Sequence, residues 1–186
     1  MPTPDDKVLR ILEAAGPLFL KHGLRGTSME AIAKTAGIAK PTLYAYYADK
    51  TAVFIAIAEK LIGSRRASFL EGLRGEGGVA ARIAAALINK HRATMRLLAA
   101  SPHADELYGA HERVAGRRFL AFEDEIERAV EHELTLAGAA RPKLLAQLLV
   151  AAAAGIGRKA QSPAELGPAI RLLAERLIVP ELRKQI

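Results

Sequence analysis

Apolar residues recur along this chain at intervals of three and four, the repeat of α-helices that each bury one face. Val8, Ile11, Leu12, Ala15, Leu18 and Phe19 mark a first helix that ends at Gly23. Pro17 lies inside it and is expected to kink it, because proline removes the bond to the Glu13 carbonyl. Met29, Ile32, Ala33 and Ala36 mark a second helix, and Gly37 stops it by taking the left-handed conformation without a Cβ penalty. Thr27 and Glu30 have the spacing of a capping box, in which the Thr27 hydroxyl accepts from the Glu30 N–H and the Glu30 carboxylate accepts from the Thr27 N–H. That box predicts a helix start at about Ser28. Lys40-Pro41 opens a third, short helix reaching about Tyr47, since a proline in the first turn lacks only a donor that has no partner there. Asp49 caps a fourth, which passes through Phe54, Ala58, Leu61 and Ile62 and fades at Gly72 and the Gly75-Glu76-Gly77-Gly78 loop.

The rest of the chain continues in helices. They are expected at about 79–99, 104–110, 112–137 (Phe119, Phe122, Ile126 and Val130 on its apolar side), 143–160 and 164–177. Ser101-Pro102 and Gln161-Ser162-Pro163 separate them. No stretch alternates with the period of two that a strand requires. The expected fold is therefore all-α, with about nine helices.

Two short helices joined by a glycine turn, at 28–36 and 40–47, form a helix-turn-helix pattern whose second helix is the recognition helix. Three tyrosines within four residues, Tyr44, Tyr46 and Tyr47, cannot all face one small core. Leu43 and Tyr47 are expected to point inward, and Thr42, Tyr44 and Tyr46 to lie on the exposed side. Helix N-termini carry unsatisfied N–H groups and partial positive charge, so the starts at Thr27/Ser28 and Asp49/Lys50 are natural phosphate seats.

Residues 8–62, with Thr-Ser-Met-Glu-Ala-Ile-Ala, Pro-Thr-Leu-Tyr-Ala-Tyr-Tyr and the following Ala-Asp-Lys in register, resemble the DNA-binding end of a tetracycline-repressor (TetR) family regulator. The resemblance implies an N-terminal three-helix DNA-binding domain over 1–50 and a helical ligand-binding and dimerisation domain over 51–186. It implies that Thr42 and Tyr46 bond phosphate, that Tyr44 bonds phosphate or packs on a thymine methyl, and that Lys50 pairs with phosphate. Lys40 and Ala45 are the candidates for base edges, lysine through guanine acceptors and alanine through the thymine methyl, and Pro41 is counted with them among the DNA-contacting residues. Ala39 departs from the family, which often has a serine cap there.

The same resemblance assigns the C-terminal helices. Their apolar stripes look wider than one intrachain contact needs, so Leu145, Leu148, Leu149, Ala152, Ile156, Ile170, Leu173 and Leu177 are expected at a homodimer interface. Ile83, Leu87, His91, Met95, Tyr108, His111, Phe119 and Phe122 are expected around a pocket for a small apolar or amphipathic effector.

Composition sets limits without identifying a function. The 186 residues are 51% hydrophobic, enough for a packed core and too apolar for a disordered chain. There is no cysteine, which removes disulfides, thiolate catalysis and thiolate-bound zinc. The net charge of +7 says little about DNA, because residues 1–50 hold seven basic and five acidic residues and most of the excess lies beyond them. Gly155-Ile156-Gly157 is a bare G-x-G within a helical pattern, and no nucleophile elbow, lysine P-loop or HExxH motif occurs. No enzyme, metal site or cofactor is expected. Met-Pro-Thr-Pro-Asp-Asp-Lys lacks a signal-peptide pattern, and the longest mostly apolar stretch, 144–157, is shorter than the roughly 20 residues that span a bilayer, so a cytoplasmic protein is expected. The competing reading is a helical ligand-binding or interaction protein that reads no DNA sequence.

Overall fold

The structure, a computed structural model, describes residues 4–98, 101–104, 106–107, 109–110, 116–160 and 162–182. Its helices are α1 (Pro4–Gly26), α2 (Met29–Ala36), α3 (Lys40–Tyr46), α4 (Lys50–Leu73), α5 (Val79–Leu98), α6 (Gly116–Leu136), α7 (Pro142–Lys159) and α8 (Pro163–Ile178), followed by a 3-10 turn at Val179–Glu181. Residues 104, 106, 107, 109 and 110 are also helical, where a short helix was expected. No strand occurs among the described residues, and no helix among them is long and apolar enough to cross a membrane.

α1 breaks at Gly23, where the hydrophobic repeat places its end. Its one non-helical residue is Gly23 (φ 70°, ψ 174°), and the chain stays helical through Pro17. Pro17 costs one backbone bond, whereas Gly23 turns the backbone into a region that side-chain-bearing residues avoid. The break therefore falls where the hydrophobic repeat stops.

The chain divides into two compact units, Met1–Leu61 with Ala100–Arg117, and Ile62–Ala99 with Arg118–Ile186. The division lies inside α4 rather than after residue 50, because the first half of α4 is needed to close the N-terminal core. In that unit Ile11, Ala15, Phe19, Ile32, Leu43, Val53 and Phe54 are buried together, and the Phe19 and Phe54 rings meet edge to face at 5.5 Å. Each such side chain contributes about 1.5–3 kcal/mol by leaving water. The 100–117 segment joins the same unit through polar contacts. Ser101 Oγ donates to the Leu20 carbonyl at 2.7 Å, and Glu106 accepts from the Arg25 N–H at 3.1 Å.

The second unit has a core of its own, in which Phe69, Ile83, Leu87, Phe122, Ile126, Val130, Leu134, Leu149, Leu166 and Ile170 are buried. The 3.6-residue spacing of Phe122, Ile126, Val130 and Leu134 puts all four on the inner face of α6. Arg66 holds Glu125 through both of its carboxylate oxygens, and Arg82 bonds Glu133 at 2.7 Å. At the C-terminal end the Ala140 N–H donates to the Glu181 carbonyl, and the Arg141 guanidinium pairs with the Glu181 carboxylate.

Candidate nucleic-acid interface

α2 starts one residue later than the capping box predicts. Ser28 is the N-cap, with extended backbone and its Oγ accepting from the Ala31 N–H at 3.1 Å. Thr27 is 2% exposed, and its hydroxyl donates to the Gly23 carbonyl at 2.8 Å, beside the Leu18 carbonyl at 3.2 Å. Thr27 thus seals the end of α1, and it has no surface to offer a phosphate. The exposed hydroxyl at this helix start is that of Ser28. Sequence spacing could not separate the two hydroxyls, because both precede the same apolar stripe.

At the other end of α2, Gly37 is left-handed (φ 63°, ψ 38°) and the Ile38 N–H returns to the Ala33 carbonyl at 3.0 Å, the Schellman pattern. Arg10, which the sequence reading left unassigned, donates to the Ala36 carbonyl at 2.7 Å and the Gly37 carbonyl at 3.3 Å. It holds the turn against α1 and satisfies carbonyls that α2 leaves open.

α3 is anchored by Leu43, which is fully buried. Lys40, Pro41, Tyr44 and Ala45 are exposed, Tyr44 to 47%, while Thr42, Tyr46 and Tyr47 are half-buried. Burial raises the Tyr47 phenol above its ordinary pKa, so it stays a neutral donor. Ala39 supplies no side-chain cap, leaving the first N–H groups of α3 without that partner. The Lys40 ammonium lies 3.8 Å from the Glu30 carboxylate with both side chains largely exposed, a pairing too weak to fix it.

Asp49 caps α4 as expected, its Oδ1 accepting from the Ala52 N–H at 2.8 Å. Lys50 has a role the sequence did not suggest. Its Nζ donates to the Arg25 carbonyl at 2.8 Å and the Thr27 carbonyl at 2.9 Å, so two of its three donors tie α4 to the α1–α2 turn.

The candidate effector residues fall into three groups. Ile83, Leu87 and Phe122 lie in the buried core of the second unit, with Met95 packed against it. His91 is buried and Phe119 half-buried, whereas Tyr108 and His111 lie outside the described residues. The candidate dimer residues divide by face. Leu145, Leu149 and Ile170 are turned into the chain's own core and cannot meet a second copy, a correction that follows from which side of each stripe packs on α5. Ile156, Leu173 and Leu177 are half-buried against that core, and Ala152 is half-buried. Leu148 is exposed to 46%, and beside it on the outer surface of α7 lie Leu144 and Ala151, with Leu172 outward on α8.

A capped scaffold helix, a left-handed glycine turn and a second helix that buries one leucine while presenting lysine and tyrosine define a helix-turn-helix DNA-binding domain. Residues 11–57 match the family model described as bacterial regulatory proteins, tetR family. The N-terminal domain of this chain belongs to the TetR family of transcriptional regulators. It is 36% identical over 61 residues to the HTH-type transcriptional regulator EthR of Mycobacterium tuberculosis, a match covering 33% of this chain and 28% of that protein. It is 39% identical over 57 residues to the HTH-type transcriptional repressor SCO4008 of Streptomyces coelicolor, covering 31% of this chain and 30% of the repressor. Less than a third of these relatives is therefore matched. The fold extends further than the sequence likeness. A transcriptional regulator from a Rhodococcus species superposes with a TM-score of 0.73 at 21% identity, over 91% of this chain and 95% of that one. The SmeT–triclosan complex superposes with a TM-score of 0.64 at 20% identity, over 96% and 93% of the two chains.

Proposed function

We propose that this protein is a cytoplasmic, homodimeric transcriptional regulator that represses from a palindromic operator and is released by a small apolar or amphipathic ligand. The observation that carries the DNA reading is α3 itself, with Leu43 buried beneath it and Lys40, Tyr44 and Ala45 facing outward. Lys40 and Ala45 read base edges, while Tyr44, with Thr42 and Tyr46 at the rim, holds the backbone. Ser28 at the start of α2 and the remaining donor of Lys50 at the start of α4 seat phosphates.

The exposed surface of α7 and α8, with Leu144, Leu148, Ala151 and Leu172, supports pairing of two copies about a two-fold axis. Two recognition helices so related read half-sites about 34 to 36 Å apart or a multiple of one helical turn. A ligand in the second unit acts to the extent that it binds two dimer geometries unequally. The likeness to SmeT, seen in complex with triclosan, supports a small-molecule effector.

The test is a fluorescence-anisotropy titration of DNA upstream of the chain's own gene, searched for an inverted repeat. Salt-dependent binding that prefers the repeat over scrambled DNA is expected. Equal binding to both, or none, would favour a helical ligand-binding protein without sequence recognition.

A further inference from the structure

The interior of the second unit carries charge that its packing does not require. Lys90, on α5, is fully buried, and its ammonium bonds one oxygen of Glu123 at 2.5 Å. An ammonium has three donors, and Glu123 is the acceptor this one bonds among the described residues. The other Glu123 oxygen lies 3.7 Å from the guanidinium of Arg65, itself 4% exposed, so one carboxylate faces two buried cations. Both cations also sit against the same ring, Arg65 at 5.4 Å and Lys90 at 5.7 Å from the centroid of Phe122. Such a pairing is electrostatically favourable, yet it does not replace a hydrogen-bond acceptor.

His91 follows Lys90 on α5 and is 8% exposed. Its Nδ1 edge is pressed on α7 at Gly157, where a Cβ would come within 2.9 Å. Its Nε2 is buried without a hydrogen-bond partner, and so is Nε of the next residue, Arg92. Desolvation, with the charges of Lys90 and Arg65, holds the His91 pKa well below 6.5, so the ring is neutral at neutral pH. Buried polar atoms in folded proteins are normally satisfied, and a buried cation needs a counter-charge and acceptors. Here an ammonium with donors to spare, an unpaired imidazole nitrogen and an unpaired guanidinium nitrogen occur on three successive residues of one helix, the first of them against a large aromatic ring.

We infer that this cluster binds the anionic head of an amphipathic organic acid, with Lys90 and His91 bonding the carboxylate and Phe122 and its apolar neighbours taking the body of the ligand. The inference rests on the reading of the second unit as the effector domain, and it names the chemical class of that effector. A carboxylate supplies acceptors to the ammonium and a negative charge beside a buried cation. An alcohol supplies an acceptor without the charge, and an amine adds a third cation.

Decanoate, 1-decanol and decylamine carry the same chain with these three heads, and calorimetric titration of the full-length protein at neutral pH compares them. Decanoate is expected to bind roughly tenfold or more tightly than decanol, as loss of a charge-assisted hydrogen bond in a buried site predicts, and decylamine more weakly still. Lys90→Met should weaken decanoate far more than decanol, which loses one neutral acceptor contact and no charge pairing, and so erase the preference for the acid. Because that variant strands Glu123, the double variant Lys90→Met with Glu123→Gln, which removes both charges, serves as the folded control and should lose the same preference. Decanol or decylamine binding as tightly as decanoate, no binding of decanoate, or a preference for decanoate that survives in the double variant would each overturn the inference. The effector reading fails separately: decanoate would then bind in a Lys90-dependent way and leave the affinity of the wild-type protein for operator DNA unchanged.

Discussion

Lysines 40 and 50 flank the same recognition helix, yet the structure gives them different work. Lys40 is exposed and held only by a weak contact to Glu30, so Lys40→Ala is expected to cost about 1–3 kcal/mol on the preferred operator and to relax preference at one base position. Titration of a set of single-base operator variants checks this. Lys50 spends two donors on the Arg25 and Thr27 carbonyls, so Lys50→Ala should lower both DNA affinity and folding stability, the latter by about 1 kcal/mol. A melting temperature equal to that of the wild type would return Lys50 to a purely phosphate-binding role. His91 provides a third test at this scale. Its folded pKa lies below its unfolded value, so the unfolded chain binds the proton first and stability falls as pH falls below about 6.5, by up to about 1.4 kcal/mol per pH unit. His91→Gln should lessen that slope in denaturant titrations between about pH 5 and 7. Of these roles, only the outward placement of Lys40 was legible in the sequence, because helical spacing predicts direction. The partners of Lys50 and the desolvation of His91 come from elements distant along the chain.

Among the helices, α3 was read correctly in place, with Leu43 inward, Tyr44 outward and the missing cap at Ala39, whereas Thr42, Tyr46 and Tyr47 are all half-buried and do not divide into the outward and inward sets expected. Ala39→Ser is expected to stabilise the domain by about 1 kcal/mol and to tighten DNA binding, since an N-terminal turn that is better formed presents its N–H groups already ordered. Thermal melting and anisotropy titration of the same variant check both effects, and a rise in stability without any rise in affinity would separate capping from recognition. The cap of α2 was misplaced by one residue. Thr27 and Ser28 are chemically equivalent caps, and the choice between them is made by the Gly23 and Leu18 carbonyls, which only the bend at Gly23 brings to Thr27. Pro17 is accommodated inside α1, because a missing hydrogen bond in a helix packed through Ile11, Ala15 and Phe19 costs less than disrupting that packing.

For the whole molecule, the two faces of α7 separate the core that folds the chain from the surface proposed to pair two copies. Leu148→Glu, on the outer face, should leave the protein folded and convert dimers to monomers by light scattering, because a charge in an apolar interface must be desolvated or expelled. Leu149→Ala, one residue on, should leave dimerisation chemistry untouched and cost about 2–5 kcal/mol of stability through the cavity it opens. A Leu148→Glu protein that remains dimeric would place the interface elsewhere.

Sequence alone determined the helical class, the helix-turn-helix and the opposed placement of Leu43 and Tyr44 on α3, because a 3.6-residue repeat, a left-handed glycine and a proline in a first turn act through neighbours only a few positions away. It also predicted wide apolar stripes on the last two helices without saying which half of each met the core. Tertiary structure decided that Leu145, Leu149 and Ile170 face inward while Leu144, Leu148 and Leu172 do not. It likewise decided that Thr27 is sealed, that Lys50 is a clamp, that Lys90 and Arg65 are buried on one shared carboxylate, and that His91 is buried against Gly157. Burial and hydrogen-bond partnership depend on segments up to 81 residues apart, as in the contact of Arg25 with Glu106, and no local pattern carries that information.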